Sequence, residues 1–225
     1  MRATAVMITG KDAGRYAMAQ ISVHCFLQQS YAEKELLIIN HGDKLLNCND
    51  PQVRELHVLR TPDQTLGDLR NLAIDHACGE VIVGWDDDDW HHPLRLETQV
   101  RAYRPGAVVM LQHQIRYSLI RHSGFTLSMP SGIIGTVLFG RDDRRRYPKL
   151  NRGEDTALVA QFDQRIVVDN DSRLYVRFYH AMNIWDERHI MGHLAQVDNQ
   201  WEFTPQEITL LKDVIPRYES LPLHP

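Results

Sequence analysis

The residues of this chain best suited to chemistry are four consecutive aspartates, Asp86–Asp89, which directly follow the apolar stretch Glu80–Trp85. Adjacent carboxylates repel one another, so this run is unfavourable at the end of a buried strand unless a cation lies beside it. Alternate acids such as Asp86 and Asp88 can point the same way and approach one divalent ion. Oxygen ligands suit Mg²⁺ or Mn²⁺, which commonly also bind a substrate's phosphates. The alternative is a solvated acidic turn, but the tryptophans on both sides favour a metal site.

The elements that must position these acids alternate between short apolar runs and helical patterns. Buried strands are predicted at Ala3–Thr9, Glu35–Asn40, Arg54–Arg60 and Glu80–Trp85, and helices at Arg15–Gln29 and Gln64–Cys78, with Gly79 as the C-terminal cap of the second helix. This alternation predicts an α/β fold with a mostly parallel sheet that helices cover on both faces. Such sheets bind ligands at the carboxyl ends of their strands, and the acidic run lies at that edge.

The second half of the chain has a more irregular pattern. Val108–Leu111 and Ile115–Ile120 are predicted to be paired strands, Gly135–Phe139 a further strand, Arg165–Val168 and Arg173–Phe178 two more, and a short helix is predicted from about Glu154. Thr204-Pro205-Gln206-Glu207 is a capping box with proline at the first helical position, which predicts a C-terminal helix. We expect one α/β domain over residues 1–225, with a nucleotide-binding first half at 1–93.

Composition excludes several classes of protein. Of the 225 residues 43% are hydrophobic and 8% aromatic, which excludes an intrinsically disordered chain. No apolar run approaches the roughly 18 to 20 residues of a membrane span. Met1–Gly10 does not resemble a signal peptide, and three widely spaced cysteines indicate neither a disulfide framework nor a zinc cluster, so a cytoplasmic location is expected. A net charge of −4 argues against a protein that coats nucleic acid.

Several motifs, taken in order, resemble those of a known enzyme family. The run Asp86–Asp89 with Trp90 and Pro93, the preceding segment 66–73 with Gly79-Glu80, the later Gly153-Glu154-Asp155, and His180 with Asn183 are similar to motifs of GT-A-fold glycosyltransferases of family 2. Several motifs in the right order, over roughly residues 3–185, are far more specific than any one alone. The resemblance implies a Rossmann-like GT-A fold whose second half, 94–225, binds the acceptor.

The same resemblance implies a nucleotide-sugar donor, for which a UDP-sugar is the first expectation, and Mn²⁺ or Mg²⁺ as the cofactor. The implied metal ligands are Asp88, Asp86 and His180, and the implied donor-binding residues are Thr9, Lys11, Asn40, Arg70, Asp86 and Asp87. Departure of the diphosphate builds negative charge, which a divalent ion offsets as a Lewis acid. Arg70 would orient the donor and the aspartates; the alternative is an ordinary surface arginine.

The acceptor hydroxyl needs a base, and Asp155 at the start of a short helix is the candidate, with Glu154 helping to shape the acceptor site. The alternative is that both acids only complement the helix dipole. A single base acting opposite the leaving group implies direct displacement with inversion.

A basic loop precedes these acids. Residues Arg141–Arg152 hold six basic side chains against two acids, and Arg141, Arg144, Arg145 and Arg146 are the candidate acceptor-binding residues. Guanidinium groups suit phosphate, so the loop favours a polyanionic acceptor, such as DNA with hydroxymethylated bases, a teichoic-type polymer or a lipid phosphate. The alternative is a solvated charged loop.

Two features depart from the family pattern. Asn40-His41-Gly42-Asp43 stands where the family has an acidic pair that reads the donor base, and Thr9-Gly10-Lys11-Asp12 lacks the usual aromatic residue. The identity of the base therefore stays open. Two other functions also remain. One is a nucleotidyltransferase, because Gly10–Arg15 faintly resembles the Gly-rich basic loop of such enzymes. The other is a non-catalytic module that binds a nucleotide sugar or nucleic acid.

Overall fold

The computed structural model describes residues 1–10, 13–180, 182–192 and 203–221. Its strands are β1 (Ala3–Thr9), β2 (Lys34–Asn40), β3 (Val53–His57), β4 (Val81–Gly84), β5 (Trp90–His91), β6 (Ala107–Leu111), β7 (His113–Ser118), β8 (Ser123–Ser128), β9 (Leu138–Gly140), β10 (Gln164–Val168) and β11 (Tyr175–Tyr179). Its helices are α1 (Ala13–Leu27), α2 (Leu66–His76), α3 (Arg95–Ala102), α4 (Glu154–Val159), α5 (Glu187–Met191) and α6 (Pro205–Glu219).

The larger sheet has seven strands in the order β10-β6-β9-β4-β1-β2-β3. Strand β1 pairs in parallel with both β2 and β4, while β9 runs antiparallel to β4 and β6. Every residue of β2 is buried, as expected of a strand that is covered on both faces. The predicted α/β fold with a mainly parallel sheet is confirmed.

Helices cover both faces of this sheet because alternate side chains of its strands point to opposite sides. On one face, Met7 and Ile38 pack in a cluster with Phe26 of α1. On the other face, Ile39 and residues of α2 such as Leu69 form a second cluster. These two apolar layers hold the carboxyl ends of β1, β2 and β4 at one edge. No helix within the described parts of the chain combines the length and apolar character of a membrane span.

The predicted cap at Gly79 is wrong. Helix α2 starts at a capping box made by Thr65 and Asp68 and ends at His76, with Ala77 in an extended conformation as its C-terminal cap. Gly79 is required for another reason: a Cβ there would lie 2.7 Å from the backbone nitrogen of Thr4. The glycine therefore permits close approach to β1 and does not end the helix.

The second sheet has the order β5-β11-β7-β8. Two predictions for the second half of the chain are wrong. Strands β6 and β7 do not pair, because the single residue Gln112 separates them and cannot form a hairpin turn. Its backbone N–H donates instead to Val168 and Asn170. The predicted strand Gly135–Phe139 is a 3₁₀ turn, Ile134–Thr136, followed by β9. The Thr136 hydroxyl closes this turn by donating to the Ile133 carbonyl.

The remaining predicted elements of the second half are present with shifted bounds. Helix α4 begins at Glu154, and α6 begins at the capping box formed by Thr204 and Glu207 with proline in the first turn. The predicted strand Arg173–Phe178 begins two residues later, because a 3₁₀ turn over Ser172–Leu174 precedes β11. Through β11 and α4 the second half reaches the sheet edge that carries the acidic run.

Candidate active site

The acidic run occupies the turn between β4 and β5, where β4 leaves the core. Trp85 anchors this turn: it is fully buried, packs edge-on against Phe26 and lies 3.9 Å from the His91 ring. Asp87 and Asp89 are each 1% exposed and Asp88 is 9% exposed, so the run is not a solvated turn. Buried carboxylates require partners, and the four acids have different ones.

Arg15, in the first turn of α1, binds two of these acids. Its Nη2 lies 2.5 Å from Asp87 Oδ1 and its Nη1 lies 3.3 Å from Asp88 Oδ2. Burial alone would lower the pKa of Arg15, but Asp87 and Asp88 raise it above its ordinary value, so the guanidinium stays charged. Burial raises the pKa of Asp87 to about 6 despite this partner. Asp87 is thus committed to Arg15.

Asp88 is held as a carboxylate by three donors. His180 Nε2 lies 3.2 Å from Asp88 Oδ2, and Asn183 Nδ2 donates to the same oxygen at 3.3 Å, as Arg15 also does. Burial would raise the pKa of Asp88, but Arg15 and His180 lower it below its ordinary value. Among the described residues, every partner of Asp88 contacts Oδ2, which leaves Oδ1 for a ligand.

Asp89 joins the acidic turn to the second sheet. It accepts a short hydrogen bond from the Tyr175 hydroxyl and a second from the Phe178 backbone N–H at 3.1 Å. Burial, followed by the charge of Asp88, raises its pKa well above the ordinary value. Asp89 therefore has a structural role: it fixes β11 against the turn.

Arg70 of α2 gathers the other acids. Its Nε lies 3.3 Å from Glu154 Oε1, and its Nη2 lies 3.5 Å from Asp86 Oδ1 and 3.6 Å from Asp155 Oδ2. The Arg70 side chain is 9% exposed, so it is not an ordinary surface arginine. Burial is the main cause that raises the pKa of Asp155 to about 7, and the nearby charges of Glu154 and Asp86 also raise it. Arg70 opposes this rise. Asp155 thus titrates near neutral pH.

A small cavity of about 90 Å³ lies between these groups. It is lined by the carboxyl groups of Asp86, Asp88, Glu154 and Asp155 and by the guanidinium groups of Arg15, Arg70 and Arg177. The structure therefore brings the acidic run, Arg70 and the Glu154-Asp155 pair into one site, although they are distant in sequence. Opposed charges in a poorly solvated space are typical of catalytic centres.

A larger cleft of about 600 Å³ adjoins the cavity along the carboxyl ends of β1 and β2. Thr9, Gly10 and His41 line one side of it, and Arg15 and Asn183 belong to both spaces. This volume falls within the range of sites that bind small molecules and cofactors. The position is that of ligands in open α/β sheets.

The predicted donor-binding residues at the ends of β1 and β2 do not all line the cleft. Thr9 lines the cleft. Asn40 is buried beside it, where its side chain donates to Glu55 and to the Lys44 carbonyl and thereby shapes the loop after β2. Lys11 lies outside the described residues.

The structure does not bring the four predicted acceptor-binding arginines to the cavity. Arg141 donates to the Ala77 carbonyl, Arg145 pairs with Asp143 and lies over the Phe162 ring, and Arg146 contacts Asp75, while Arg144 is exposed. Most of these side chains hold their own loop because they find partners within or directly beneath it. Of the basic stretch, only Arg152 lines the cleft.

Sequence reasoning missed Arg15 and Arg177. Burial would lower the pKa of Arg177, but Tyr175, Asp89 and Asp86 raise it above its ordinary value. A usable signal was present for Arg15, because the first turn of a helix that follows β1 lies at the same sheet edge as the acidic run. No comparable local signal marks Arg177, which reaches the cavity from the second sheet.

The residues fit a divalent cation that a substrate's phosphates help to hold. In residues 1–10, 13–180, 182–192 and 203–221 there is no group of three or more His, Cys, Asp or Glu side chains that could hold a metal alone. Asp86 and Asp88 nevertheless line the same cavity. Mg²⁺ usually takes one or two protein carboxylates and completes its shell with phosphates and water. His180 contacts Asp88 and does not line the cavity.

Solved structures share this fold at low sequence identity. S. aureus TarS aligns with a TM-score of 0.57 at 13% identity, over 98% of this chain and 44% of TarS. TarS 1–349 in complex with UDP-GlcNAc aligns with a TM-score of 0.58 at 14% identity, over 98% of this chain and 73% of that one. The mannosyltransferase PcManGT from Pyrobaculum calidifontis, in complex with GDP-Man and Mn²⁺, gives 0.58 at 14% identity, over 97% and 69%. The predicted GT-A glycosyltransferase fold is confirmed.

Sequence comparison identifies the family. The chain spans less than half of the TarS chain, and comparison with curated proteins gives no match. The model of glycosyl transferase family 2 matches residues 14–178, which include the acidic run, Arg70 and the Glu154-Asp155 pair. This match extends over most of the sequence. The chain therefore belongs to glycosyl transferase family 2.

Proposed function

We propose that this protein transfers a sugar from a nucleotide-diphosphate sugar to a hydroxyl acceptor, with inversion at the anomeric carbon. The observation that carries the proposal is the single cavity in which Asp86, Asp88 and Asp155 meet beside a cleft of nucleotide size. A cluster of acids alone would bind a cation. Asp155, whose pKa is about 7, adds a group that can accept a proton.

The donor occupies the cleft at the ends of β1 and β2, with its diphosphate toward Asp86 and Asp88. The two aspartates hold Mn²⁺ or Mg²⁺, which when bound offsets the charge of the departing diphosphate. Arg15 stands between cleft and cavity and can donate to the same phosphates. We take a UDP-sugar as the donor; TarS 1–349 is in complex with UDP-GlcNAc and PcManGT with GDP-Man.

Asp155 removes the proton of the acceptor hydroxyl as this oxygen attacks the anomeric carbon. A base works best when its pKa lies near the working pH, and burial among Glu154 and Asp86 gives Asp155 such a value. Arg70 limits the rise in the pKa of Asp155 and fixes the orientation of the Glu154 and Asp155 carboxyl groups at the start of α4. His180 positions Asp88 through Nε2. In this proposal a single domain contains both binding functions: residues 1–93 mainly bind the donor, and residues 94–225 mainly bind the acceptor.

A donor panel tests the proposal. UDP-, GDP- and dTDP-sugars are incubated with the protein and Mn²⁺, and free sugar and nucleoside diphosphate are measured. A parallel reaction with added pyrophosphate is assayed for nucleoside triphosphate and sugar 1-phosphate. Release of sugar together with nucleoside diphosphate supports the proposal. Formation of nucleoside triphosphate and sugar 1-phosphate from the donor and added pyrophosphate would instead indicate a nucleotidyltransferase, and binding without turnover a non-catalytic module.

The panel is repeated with the test variant Asp155→Asn and the matched control Arg144→Ala. Asp155→Asn removes the base without changing the size of the side chain. Arg144→Ala removes an exposed charge outside the site. Loss of turnover in Asp155→Asn alone is the result expected.

A further inference from the structure

A second, polar cleft of about 390 Å³ lies next to the catalytic cavity and is lined by Arg152, Trp185, Asp186, Arg188 and His189. Trp185 also lines the catalytic cavity, and Arg152 also lines the larger cleft at β1 and β2. The space therefore adjoins the acids of the active site on the side of α4 and α5. Of its lining residues, only Arg152 also lines the cleft proposed for the donor.

The side chains of this cleft are arranged around Trp185. The Arg152 guanidinium lies 5.3 Å from the centroid of the indole ring, and the His189 ring stacks on the indole at 4.0 Å with an interplanar angle of 17°. Asp186 is committed to the start of α5, because its Oδ1 accepts from the His189 backbone N–H at 2.8 Å. The indole ring thus contacts both Arg152 and His189, and Trp185 also lines the catalytic cavity.

Two guanidinium groups of the cleft have no carboxylate or hydrogen-bonding partner among the described residues. Arg152 and Arg188 are both exposed, and neither donates a hydrogen bond or an ion pair to any residue in the described ranges. The arginines of the cavity differ, since Arg15 and Arg70 are each bound to carboxylates. Unpaired guanidinium groups at a cleft suit an anion, and phosphate most of all, because their planar fork matches its oxygens.

We infer that this cleft binds a phosphate-bearing sugar or polyol as the acceptor, with the phosphate on Arg152 and Arg188 and the acceptor hydroxyl directed into the cavity toward Asp155. This inference rests on the proposed function. The ion pairs set the orientation: Arg15 and Arg70 in the cavity are bound to carboxylates, whereas Arg152 and Arg188 line the second cleft and have no carboxylate partner among the described residues. The carbon skeleton between the two ends lies along Trp185 and the exposed Ile184.

A small phosphorylated acceptor fits these observations better than DNA does. Duplex DNA is bound through many phosphates at once, whereas this cleft offers two guanidinium groups that have no carboxylate partner among the described residues. The net charge of −4 likewise provides no general attraction for a polyanion. Hydroxymethylated duplex DNA therefore serves as the competing arm of the test.

The test measures binding of paired probes by calorimetry: glucose 6-phosphate against glucose, and ribitol 5-phosphate against ribitol. The methyl phosphodiester of ribitol 5-phosphate distinguishes a free phosphate from one within a polymer. Wild type should prefer each phosphorylated member, and Arg152→Ala/Arg188→Ala should bind it at least about tenfold more weakly, the scale of a lost charge-assisted hydrogen bond. Arg152→Lys/Arg188→Lys keeps the charge but loses the fork and should be intermediate. Arg144→Ala is the matched control and should bind like wild type.

Donor hydrolysis without acceptor separates this inference from the proposed function. Arg188→Ala, whose residue lines the second cleft and neither the catalytic cavity nor the donor cleft, should hydrolyse the donor at the wild-type rate, which also shows that this variant is folded. If wild type binds phosphorylated and neutral probes alike, or the alanine pair binds phosphate as wild type does, the inference is wrong although donor hydrolysis persists. Tight, salt-dependent binding of hydroxymethylated DNA in preference to the small phosphates would also overturn it. A failure of donor hydrolysis in wild type would instead contradict the proposed function.

Discussion

Replacement of Arg70 by glutamine is expected to move the pH dependence of sugar release to higher pH. Among the described residues Arg70 forms the ion pair with Asp155, and it lowers the pKa of this acid against the effect of burial. Glutamine keeps much of the side-chain length and can still donate to Glu154, but it carries no charge. The variant therefore removes the charge of Arg70 and leaves Asp155 in place.

The size of the effect follows from the geometry. Arg70 Nη2 lies 3.6 Å from Asp155 Oδ2. An opposite charge at this range lowers a carboxyl pKa by about 1 to 3, so its loss would raise the pKa of Asp155 from about 7 to between about 8 and 10. At pH 7 the ionised fraction would fall from about one half to between about one tenth and one thousandth. The rate at pH 7 would then fall about fivefold to 500-fold and recover as the pH rises.

The assay is sugar release under saturating donor from pH 5 to pH 10, for wild type, Arg70→Gln and the exposed control Arg144→Gln. Wild type and the control should share a midpoint near pH 7, because the base must be ionised to act. A wild-type rate that is flat from pH 5 to pH 9 would refute the role of Asp155. A variant whose midpoint stays at the wild-type value would refute the electrostatic role of Arg70.

Three further outcomes follow from the same site. Asp88→Asn should abolish turnover with Mn²⁺ while the circular dichroism spectrum stays that of wild type; full wild-type activity in EDTA would contradict the metal site. Asp155→Asn should lower turnover by about 10²-fold or more, the scale of a lost general base, with nucleotide affinity unchanged. Asp155→Asn should also gain thermal stability relative to wild type as the pH rises from 5 to 8. Between its ordinary pKa of 3.8 and the folded value of about 7, Asp155 keeps a proton in the fold that the unfolded chain has released, so wild-type stability falls as the pH rises through this window and levels off above pH 7. Asparagine does not titrate and therefore avoids this loss. If the melting temperatures of Asp155→Asn and wild type differ by the same amount at pH 5 and pH 8, the raised pKa of Asp155 is contradicted.

The first half of the fold was predictable because its signals are local. Continuous apolar runs such as Lys34–Asn40 and Val81–Gly84 indicate strands that are buried on both faces, and the helical spacing between them fixes the alternation. The position of Asp86–Asp89 at the sheet edge follows from that alternation alone. The helix end at His76 was not predictable in this way, since Gly79 serves the packing against Thr4.

The second half was harder to predict because its pairing is not local. Strands β6 and β7 are neighbours in sequence but belong to different sheets, and β7 pairs with β11 from far along the chain. A propensity pattern gives the strands without their partners. The same limit applies to the site: Arg177 compensates acids that are distant in sequence, and only the tertiary structure brings them together.

Within the candidate site, the run of four aspartates illustrates what residue type alone leaves undecided. The alternation of side chains suggested that Asp86 and Asp88 act together, and both line the cavity. The other two acids serve different purposes, because Asp87 pairs with Arg15 and Asp89 accepts from Tyr175. Which acid stays charged depends on these partners and on burial, which the sequence does not encode locally.

The central claim, that a nucleotide diphosphate and a divalent cation bind together at Asp88, is tested most directly by calorimetric titration with UDP and with GDP. Each titration is run with Mn²⁺ and with EDTA, for wild type, Asp88→Asn and the control Arg144→Ala. We expect wild type and the control to bind at least one of the two nucleotides with Mn²⁺ and to lose at least about tenfold in affinity in EDTA, with Asp88→Asn equally weak under both conditions. Nucleotide affinity that is the same with and without Mn²⁺, or that is unchanged in Asp88→Asn, would contradict the claim.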